Sequence, residues 1–342
     1  MELDRPKRVL VVRVGAMGDV LHGLPAVAAL RERWPDCFIG WAIEPRWRAL
    51  VEGGVADRVH LVPTREWKER PFSTATLRQI VELRREMRAE RYDVCVDLQG
   101  SIRSAVIGRM SGAARFVGAA KPRERQARAL YGERVSLRAE HVIGQACELM
   151  SAGVGVRIAQ AKASLPVNAE AEEWFARTVG GEGFVVIAPT AGWGAKEWPA
   201  ERFAIVAREF KARGLRVLVN SSGGDLARRV AEDGGAELVE CGVAELVAVT
   251  RRAALVIGGD TGPVHLAGAL GRPMVALFGP TDPARTGPYF VGAKVRVLRD
   301  AGSVVDHRRH EETEAGLMRV RVEEVVEAAF SLLETDHPEF SA

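Results

Sequence analysis

The chain alternates between short apolar runs and longer segments in which apolar residues recur every three or four positions. The first such unit is an apolar run over residues 8–14, a glycine turn over 15–18 and a helical spacing of apolar residues from Val20 to Leu30. Short apolar runs bounded by turns predict buried strands, and the longer spacing predicts helices packed on one face. Their alternation predicts a parallel sheet covered by helices on both faces.

The same pattern continues through both halves of the chain. Further strands are predicted at 38–43, 59–62, 94–98, 184–188, 216–220, 238–241, 254–257, 274–278 and 295–298, and helices at 77–91, 141–152, 201–213 and 322–333. The segment 158–169, which contains Pro166, is the predicted linker. We therefore expect an α/β chain with two doubly wound domains, residues 1–160 and 170–320, followed by a C-terminal helix at 321–335.

The composition fits this picture. The chain has 342 residues, of which 47% are hydrophobic and 27% charged, as in globular proteins of two domains. Apolar stretches fall short of the roughly 18 residues that a membrane helix needs, and the N-terminus does not resemble a signal peptide, so we expect a cytoplasmic protein. The four cysteines form no C-x-x-C pair, which disfavours disulfides and a zinc site and predicts small buried side chains: Cys37, Cys95, Cys147 and Cys241.

The charge is unevenly distributed. Residues 65–134 contain 16 Lys and Arg against 9 Asp and Glu, a local net charge of +7 in a chain of net charge +3. Two interpretations stay open at this point, namely the solvated face of a helix and a surface for an anionic partner. The helix interpretation rests on Arg78, Arg84, Arg85, Arg88 and Arg91. Nucleic acid is disfavoured, because aromatic residues are only 6% of the chain and no reader motif occurs.

The segment from Gly259 to His265 follows a predicted strand and opens a predicted helix. Thr261 has the chemistry of a helix cap, and the helix is expected to begin at Pro263. Free amides and the positive end of the helix dipole suit a pyrophosphate, to which His265 could add a donor. The alternative for Asp260 is an ordinary turn residue.

Lys196 lies in a glycine-containing loop between a predicted strand and a predicted helix. In that position it could supply a counter-charge for a pyrophosphate, with Thr190 donating a hydroxyl. The alternative is a solvated loop lysine.

Asp19 ends the sequence Gly15-x-x-Gly18-Asp19. This lacks the spacing of the dinucleotide fingerprint, and residues 38–41 supply no acid for a ribose, which argues against an oxidoreductase. Asp19 either caps the following helix or acts as a general base at the carboxyl end of a strand. No D-x-D motif occurs, and we interpret His307-x-x-His310 as charged surface, so no metal site is expected.

Four motifs in this order resemble the bacterial lipopolysaccharide heptosyltransferases of glycosyltransferase family 9. They are Met17-Gly18-Asp19-Val20-Leu21-His22-x-Leu24-Pro25-Ala26, Asp97-Leu98-Gln99-Gly100, Lys196-x-Trp198-Pro199 and Asp260-Thr261-Gly262-Pro263-x-His265-Leu266-Ala267. The first motif and its distance to the second are most similar to the heptosyltransferase I group. The resemblance implies a GT-B fold, in which two Rossmann-like domains face each other across a cleft and the C-terminal helix packs back on the N-terminal domain.

The resemblance also implies roles for individual residues. The catalytic base would be Asp19. The donor-binding residues would be Thr190, Ala191, Lys196, Asp225, Cys241, Asp260, Thr261, Gly262 and His265. The acceptor-binding residues would be Arg65, Lys68 and Arg123. Two departures concern the donor side: a threonine pair of some members is Thr190-Ala191 here, and the loop to Lys196 is two residues longer.

The activity so implied is an inverting, metal-independent transfer of heptose, without a cofactor, from ADP-L-glycero-D-manno-heptose to the Kdo of Kdo-lipid A in the inner core of lipopolysaccharide. The N-terminal domain would bind the acceptor and the C-terminal domain the donor. The enzyme would be peripheral to the cytoplasmic face of the inner membrane, against its anionic surface. Alternatives are heptosyltransferase II, another family 9 transferase with a different acceptor, a GT-B-like sugar-nucleotide epimerase, and a nucleotide-binding module without activity.

Overall fold

The computed structural model describes residues 5–306, 308 and 310–336, with side chains as far as Glu334. His307 of the pair His307-x-x-His310 therefore lies outside the described residues. The chain forms two compact units that divide between Pro166 and Val167, within the segment expected to be a linker.

The N-terminal unit contains a six-stranded parallel sheet in the order β3-β2-β1-β4-β5-β6. Its strands are β1 (Arg8–Val12), β2 (Phe38–Ile43), β3 (Arg58–Leu61), β4 (Val94–Asp97), β5 (Arg115–Ala119) and β6 (Glu133–Val135). Its helices are α1 (Met17–Arg33), α2 (Thr64–Glu69), α3 (Thr74–Ala89), α4 (Ile102–Met110) and α5 (Val142–Val154), with short 3-10 segments at Pro45–Leu50 and Arg125–Leu130.

The C-terminal unit contains a second six-stranded parallel sheet, in the order β12-β11-β10-β7-β8-β9. Its strands are β7 (Val185–Ala188), β8 (Val217–Ser221), β9 (Glu237–Glu240), β10 (Leu255–Gly259), β11 (Met274–Leu277) and β12 (Val295–Leu298). Its helices are α6 (Ala169–Thr178), α7 (Ala200–Ala212), α8 (Asp225–Gly234), α9 (Val243–Arg252), α10 (Gly262–Ala269), α11 (Pro283–Thr286), α12 (Ala315–Arg319) and α13 (Val322–Asp336), with a 3-10 turn at Gly194–Lys196.

The two sheets follow the same doubly wound order, and this order locates the sites. In each unit the first strand pairs with both the second and the fourth, so that Val12 lies opposite Asp97 in the N-terminal unit and Ala188 opposite Gly258 in the C-terminal unit. The connections leaving these strands diverge to opposite faces, and doubly wound sheets bind ligands at this switch point.

The central strands are buried on both faces. Residues Val9–Val12 of β1 are fully buried, as are nearly all residues of β4 and β7. This burial explains why these strands read as continuous apolar runs rather than as an alternating pattern.

The pattern of apolar residues did not predict β5 and β6. In β5 the apolar run is interrupted at Gly118, whose missing side chain makes room for the ring of Tyr131, 2.5 Å from the position of a Cβ. In β6 only three residues pair, and two of them are charged. Neither strand therefore carries a continuous apolar signal.

The C-terminal helix α13 contributes to the core of the C-terminal unit. Val325, Ala329 and Leu333 are fully buried in one cluster with strands β7, β10 and β11 and with helix α7. The indole N–H of Trp198 donates to the carbonyl of Val320, just before α13, at 3.2 Å. The apolar stripe of the helix therefore packs in the core of its own unit. The expectation from the resemblance that this helix also packs on the N-terminal domain stays a prediction.

Leu333→Ala tests this assignment. Removal of a fully buried leucine costs about 2–5 kcal/mol, and we expect the loss in the C-terminal unit. Hydrogen exchange measured by mass spectrometry should show faster exchange for β10 and β11 and unchanged exchange for β1 and β4. The exposed Glu323→Ala on the same helix serves as the control. Faster exchange confined to β1 and β4 would contradict the assignment.

Candidate functional site

A buried carboxylate organises the switch point of the C-terminal unit. Asp260 follows β10, and its side chain is only 7% exposed. It forms an ion pair with Lys196 Nζ, and its Oδ1 lies 2.9 Å from His265 Nε2. The hydroxyl of Thr281, which follows β11, donates to its Oδ2 at 2.8 Å. Asp260 is thus the centre of a network and not a simple turn residue.

These contacts fix the protonation state of Asp260. Burial alone would raise the pKa of this carboxyl, but the hydrogen bond from His265 and the charge of Lys196 together hold its pKa well below the usual range. Asp260 is therefore ionised at neutral pH, and the ion pair is maintained.

Lys196 is not a solvated loop lysine. Its side chain is 11% exposed, and its ammonium lies 4.4 Å from the ring centre of Trp193. The loop that carries Lys196 is held by residues much later in the sequence. The amide of Ala195 donates to the carbonyl of His310 at 3.0 Å, and the hydroxyl of Thr313 donates to the carbonyl of Glu197 at 2.8 Å. The ammonium is thus held beside Asp260 at the carboxyl edge of the sheet.

Thr261 occupies the cap position of α10, with extended backbone, but its side chain makes no capping hydrogen bond. The capping prediction is therefore right for the position and wrong for the hydroxyl. Among the described residues, Thr261 Oγ1 is a buried atom without a hydrogen-bond partner. The first amides of a helix also lack intrahelical partners, so Thr261 and Gly262 present donors at the positive end of the helix dipole.

The remaining predicted donor residues lie after β7, β8 and β9 at the same sheet edge. The amide of Ala191, next to Thr190, donates to Glu197 Oε1 at 3.0 Å. Asp225 begins α8 with its side chain 89% exposed and contacts Arg228 at 3.3 Å. Cys241 is half-buried and lies 3.8 Å from Asn220 Nδ2. None of these three contacts involves Asp260 or the side chains that bond to it.

In the N-terminal unit, Asp19 lies at the third position of α1. Its Oδ2 accepts from the amide of Ala16 at 3.1 Å, as a capping carboxylate does. Its Oδ1 accepts from Arg13 Nη2 at 3.1 Å, and the side-chain amide of Gln99 donates through Nε2 to Oδ2 at 3.3 Å. The side chain is still 33% exposed. The capping interpretation of Asp19 is therefore observed, and the carboxylate also remains accessible.

The loop that follows β4 is fixed by a second buried carboxylate. Asp97 is 1% exposed and accepts from the amides of Gln99 and Gly100 at 2.8 and 3.1 Å. It also accepts from the hydroxyls of Ser104 and Tyr131 at 2.9 and 2.7 Å. Burial raises the pKa of Asp97, and these four hydrogen bonds oppose that rise. The network holds the Gln99–Gly100 turn at the switch point.

The predicted acceptor residues lie around the same edge of the N-terminal sheet. Arg65 and Lys68 are exposed on α2, directly after β3. Arg123 is exposed in the loop after β5, where the neighbouring amide of Glu124 donates to the carbonyl of Gly100 at 2.9 Å. This hydrogen bond brings Arg123 close to the Gln99–Gly100 turn, and hence to the loop that contacts Asp19.

The five helix arginines are all on the surface. Four of them lie on α3, the fifth follows the helix, and all are exposed: Arg78, Arg84, Arg85, Arg88 and Arg91. They form a solvated helix face, and because such a face is also accessible to an anionic partner, both interpretations stay open. Cys37, Cys95 and Cys147 are buried, as predicted, while Cys241 is half-buried.

Three residues of these networks were not predicted. Arg13 only marked the end of an apolar run, Gln99 belonged to a motif without an assigned role, and Thr281 was part of a sequence typical of a rigid turn. A polar residue within three positions of the end of a predicted strand was the available signal for all three.

In the part of the chain that the structure describes, no group of three or more His, Cys, Asp or Glu side chains is arranged to hold a metal ion. Within the same residues, no helix has both the length and the apolar character needed to cross a bilayer.

Comparisons with known proteins agree with the motifs. Residues 80–315 match the model of the family described as glycosyltransferase family 9 (heptosyltransferase). Lipopolysaccharide heptosyltransferase 1 of Escherichia coli K12 is 30% identical over 303 residues, which cover 82% of this chain and 91% of that protein.

Two solved structures share the fold. The E. coli heptosyltransferase WaaC with ADP-2-deoxy-2-fluoro heptose is 24% identical, with a TM-score of 0.78 over 96% of this chain and 99% of that chain. E. coli ADP-heptose heptosyltransferase II is 20% identical, with a TM-score of 0.75 over the same shares. With two doubly wound units and a family match over most of its length, the chain belongs to glycosyltransferase family 9, the heptosyltransferase family, and has the GT-B fold.

Proposed function

We propose that this enzyme transfers heptose from ADP-L-glycero-D-manno-heptose to the Kdo of Kdo-lipid A, with inversion at the anomeric carbon, in the assembly of the lipopolysaccharide inner core. The observation that carries the proposal is the complementary chemistry of the two switch points. One presents an accessible carboxylate, Asp19, and the other presents Lys196, paired with the Asp260 that precedes helix α10. A 30% identical relative is named lipopolysaccharide heptosyltransferase 1, which favours Kdo as the acceptor sugar.

The C-terminal unit is the proposed donor half. Its helix α10 offers Thr261 Oγ1 and unpaired amides, which suit the pyrophosphate of ADP-heptose. Lys196 is close to this helix start but is paired with Asp260. We propose that the donor phosphates share the ammonium with Asp260, which keeps it aimed at the leaving group. A related fold solved with an ADP-heptose analogue supports a nucleotide-sugar donor.

The proposed chemistry is a single displacement. Asp19 accepts the proton of a Kdo hydroxyl while that oxygen forms the new bond to the anomeric carbon. The bond between this carbon and the β-phosphate oxygen breaks on the opposite face, and ADP leaves with the electron pair. Preorganised donors such as Lys196 and Thr261 can each contribute about 3–4 kcal/mol to stabilising the developing charge, and a positioned base contributes a factor of about 10²–10⁴.

The transfer is proposed to need no metal ion or cofactor. The charge that a divalent ion would otherwise neutralise falls to Lys196 and to the dipole of α10. Activity in the presence of EDTA should therefore equal activity without it, and inhibition reversed by magnesium would contradict this part of the proposal.

Asp19→Asn tests the base. The amide keeps the shape of the side chain but cannot accept the proton, so turnover should fall by about 10²–10⁴. Binding of ADP-heptose, measured by calorimetry, should stay within twofold of wild type, because the donor half is unchanged. Asp93→Asn, also in the N-terminal unit, is the control. Turnover close to wild type in Asp19→Asn would remove this residue from the mechanism.

Asp260→Asn tests the ion pair. It leaves the buried Lys196 ammonium without a counter-charge, so we expect a loss of about 3–5 kcal/mol in the free energy of unfolding of the C-terminal unit at pH 7. Because the pKa of Asp260 is lowered in the folded state, its contribution is present above the unfolded value of about 3.9 and is lost as the pH falls below it.

Urea denaturation at pH 7 and at pH 3 measures this dependence. The difference between wild type and Asp260→Asn should shrink at the lower pH, whereas the exposed Asp233→Asn should differ little from wild type at both. A difference of the same size at both pH values would contradict the ion-pair account.

The acceptor is proposed to bind the N-terminal unit through Arg65, Lys68 and Arg123, because lipid A phosphates and Kdo carboxylates suit guanidinium groups. Arg123→Ala should raise the KM for the acceptor about tenfold or more, the effect of about 1.4 kcal/mol, and leave the KM for the donor unchanged. Arg109→Ala, at the end of α4 away from the switch point, is the matched control. An unchanged acceptor KM in Arg123→Ala would exclude this role.

We also propose that the enzyme is cytoplasmic and binds the anionic face of the inner membrane. Phe72 is 90% exposed, and Leu77 and Val81 lie one turn apart on α3 with 52% and 55% exposure. Exposed arginines of the same helix, Arg78, Arg84 and Arg85, lie within four positions of Leu77 or Val81 along α3. Apolar side chains beside arginines are the combination that binds anionic lipid surfaces.

Phe72→Ser combined with Val81→Ser tests this surface. We expect at least a fivefold weaker sedimentation with vesicles of phosphatidylcholine and phosphatidylglycerol. Vesicles of phosphatidylcholine alone should bind wild type weakly. Val167→Ser, which removes an exposed valine of the C-terminal unit, should bind like wild type. Equal binding of the double variant and wild type would contradict the proposed surface.

A further inference from the structure

The side chain of Gln99 lies between the backbone of Val14 and Gly15, which follow β1, and the carboxylate of Asp19. Its Oε1 accepts from the amides of Val14 and Gly15 at 2.9 and 3.2 Å. Its Nε2 donates to the carbonyl of Gly15 at 2.8 Å and to Asp19 Oδ2 at 3.3 Å. The side-chain amide thus makes three hydrogen bonds to the segment that precedes α1 and a fourth to Asp19 in the first turn of α1.

The orientation of this amide follows from its partners. Two backbone N–H groups face one end, and a carbonyl and a carboxylate face the other. The reversed orientation would direct the NH₂ group at two donors and the oxygen at two acceptors. The donor of Gln99 is therefore directed at the carboxylate of Asp19.

Gln99 is itself rigidly held. Its amide nitrogen and that of Gly100 both donate to the buried carboxylate of Asp97. Gly100 has a φ of +71°, and the amide nitrogen of Arg123 lies 3.1 Å from where a Cβ would stand, so the turn tolerates only glycine there. A buried network in the sheet therefore sets where the Gln99 side chain points.

Arg13 holds the other side of Asp19. Its guanidinium contacts Oδ1 at 3.1 Å, donates to the carbonyl of Asp19 at 2.8 Å and also donates to the carbonyl of Leu98. With the amide of Ala16, three donors fix the carboxylate, and it has about four lone-pair positions. The carboxylate thus keeps acceptor capacity for a substrate hydroxyl while its orientation is determined.

We infer that Gln99 is a positioning residue for the base Asp19. It bonds the loop through its oxygen and aims the carboxylate through its NH₂ group, without itself touching the substrate. The inference rests on the proposed role of Asp19 as the base.

Gln99→Glu separates the two tasks of the side chain. The second carboxylate oxygen replaces the NH₂ group, so the hydrogen bonds from Val14 and Gly15 remain possible while a like charge stands beside Asp19. Like charges this close disfavour double ionisation. We expect the acid limb of the kcat profile to move to higher pH by about one unit, with the donor KM within twofold of wild type.

The other charged and titratable groups around this loop are unchanged in the variant. They include Arg13, the buried Asp97, Arg123 and Glu124 of the loop after β5, and His22 on α1, whose ring lies 5.8 Å from that of His141 on α5. Gln145→Glu, which removes an amide donor to the carbonyl of Ala139 on the same unit, is the matched control and should keep the wild-type profile. An unmoved acid limb in a folded Gln99→Glu would overturn the inference.

Gln99→Met provides the test if Gln99→Glu does not fold. It removes both ends of the amide without adding charge, and kcat should fall about 10²-fold as the carboxylate loses its orientation. A kcat within twofold of wild type would overturn the inference.

Asp19→Asn, measured in the same assay, separates the two levels of the account. Full turnover in Asp19→Asn rejects the proposed base and with it this inference. Loss of turnover in Asp19→Asn together with a wild-type pH profile in Gln99→Glu rejects the positioning role alone.

Discussion

In each unit the first strand is paired on one side with the second and on the other with the fourth, and this strand order constrains everything that follows. The helices that leave the central strands turn to opposite faces, so the backbone ends at the carboxyl edge remain open to a ligand. Both candidate sites arise there, Asp19 after β1 and the Asp260 network after β10. The fold therefore creates two equivalent positions. One carries an accessible carboxylate, Asp19, and the other carries a lysine, Lys196, paired with Asp260.

A buried carboxylate is the organising element in both units, but its partners differ. Asp97 is satisfied by backbone amides and hydroxyls, and its effect is to fix the turn that carries Gln99. Asp260 is satisfied by a lysine, a histidine and a hydroxyl, and it stays ionised. The neutral donors around Asp97 form a rigid support. The cationic partner of Asp260, Lys196, instead places a positive charge beside the start of a helix, a position that suits a phosphate.

Features that depend on residues near each other in sequence could be predicted, whereas contacts between residues far apart in sequence could not. Apolar runs bounded by turns carry a local signal, so β2 and β12 were placed with their observed bounds, while β6, short and charged, carried none. Motif residues such as Asp260 and His265, five positions apart on one turn, were found together. The contacts of Gln99 with Gly15 span 84 positions. Such contacts depend on which strands are neighbours, which no local pattern specifies.

The same reasoning explains one correction. Thr261 has the residue type of a cap, but only its backbone takes that role, and its hydroxyl makes no capping hydrogen bond. The residue type was read correctly and its partner was not.

The central claim is that an accessible carboxylate in one unit and a cationic helix start in the other perform a single inverting displacement. NMR of the product that wild-type enzyme forms from ADP-heptose and Kdo-lipid A tests it most directly, through the configuration of the new glycosidic bond. The account predicts one heptose attached to Kdo with the anomeric configuration opposite to that of the donor. Retained configuration, or consumption of the donor without a glycosylated acceptor, would contradict it.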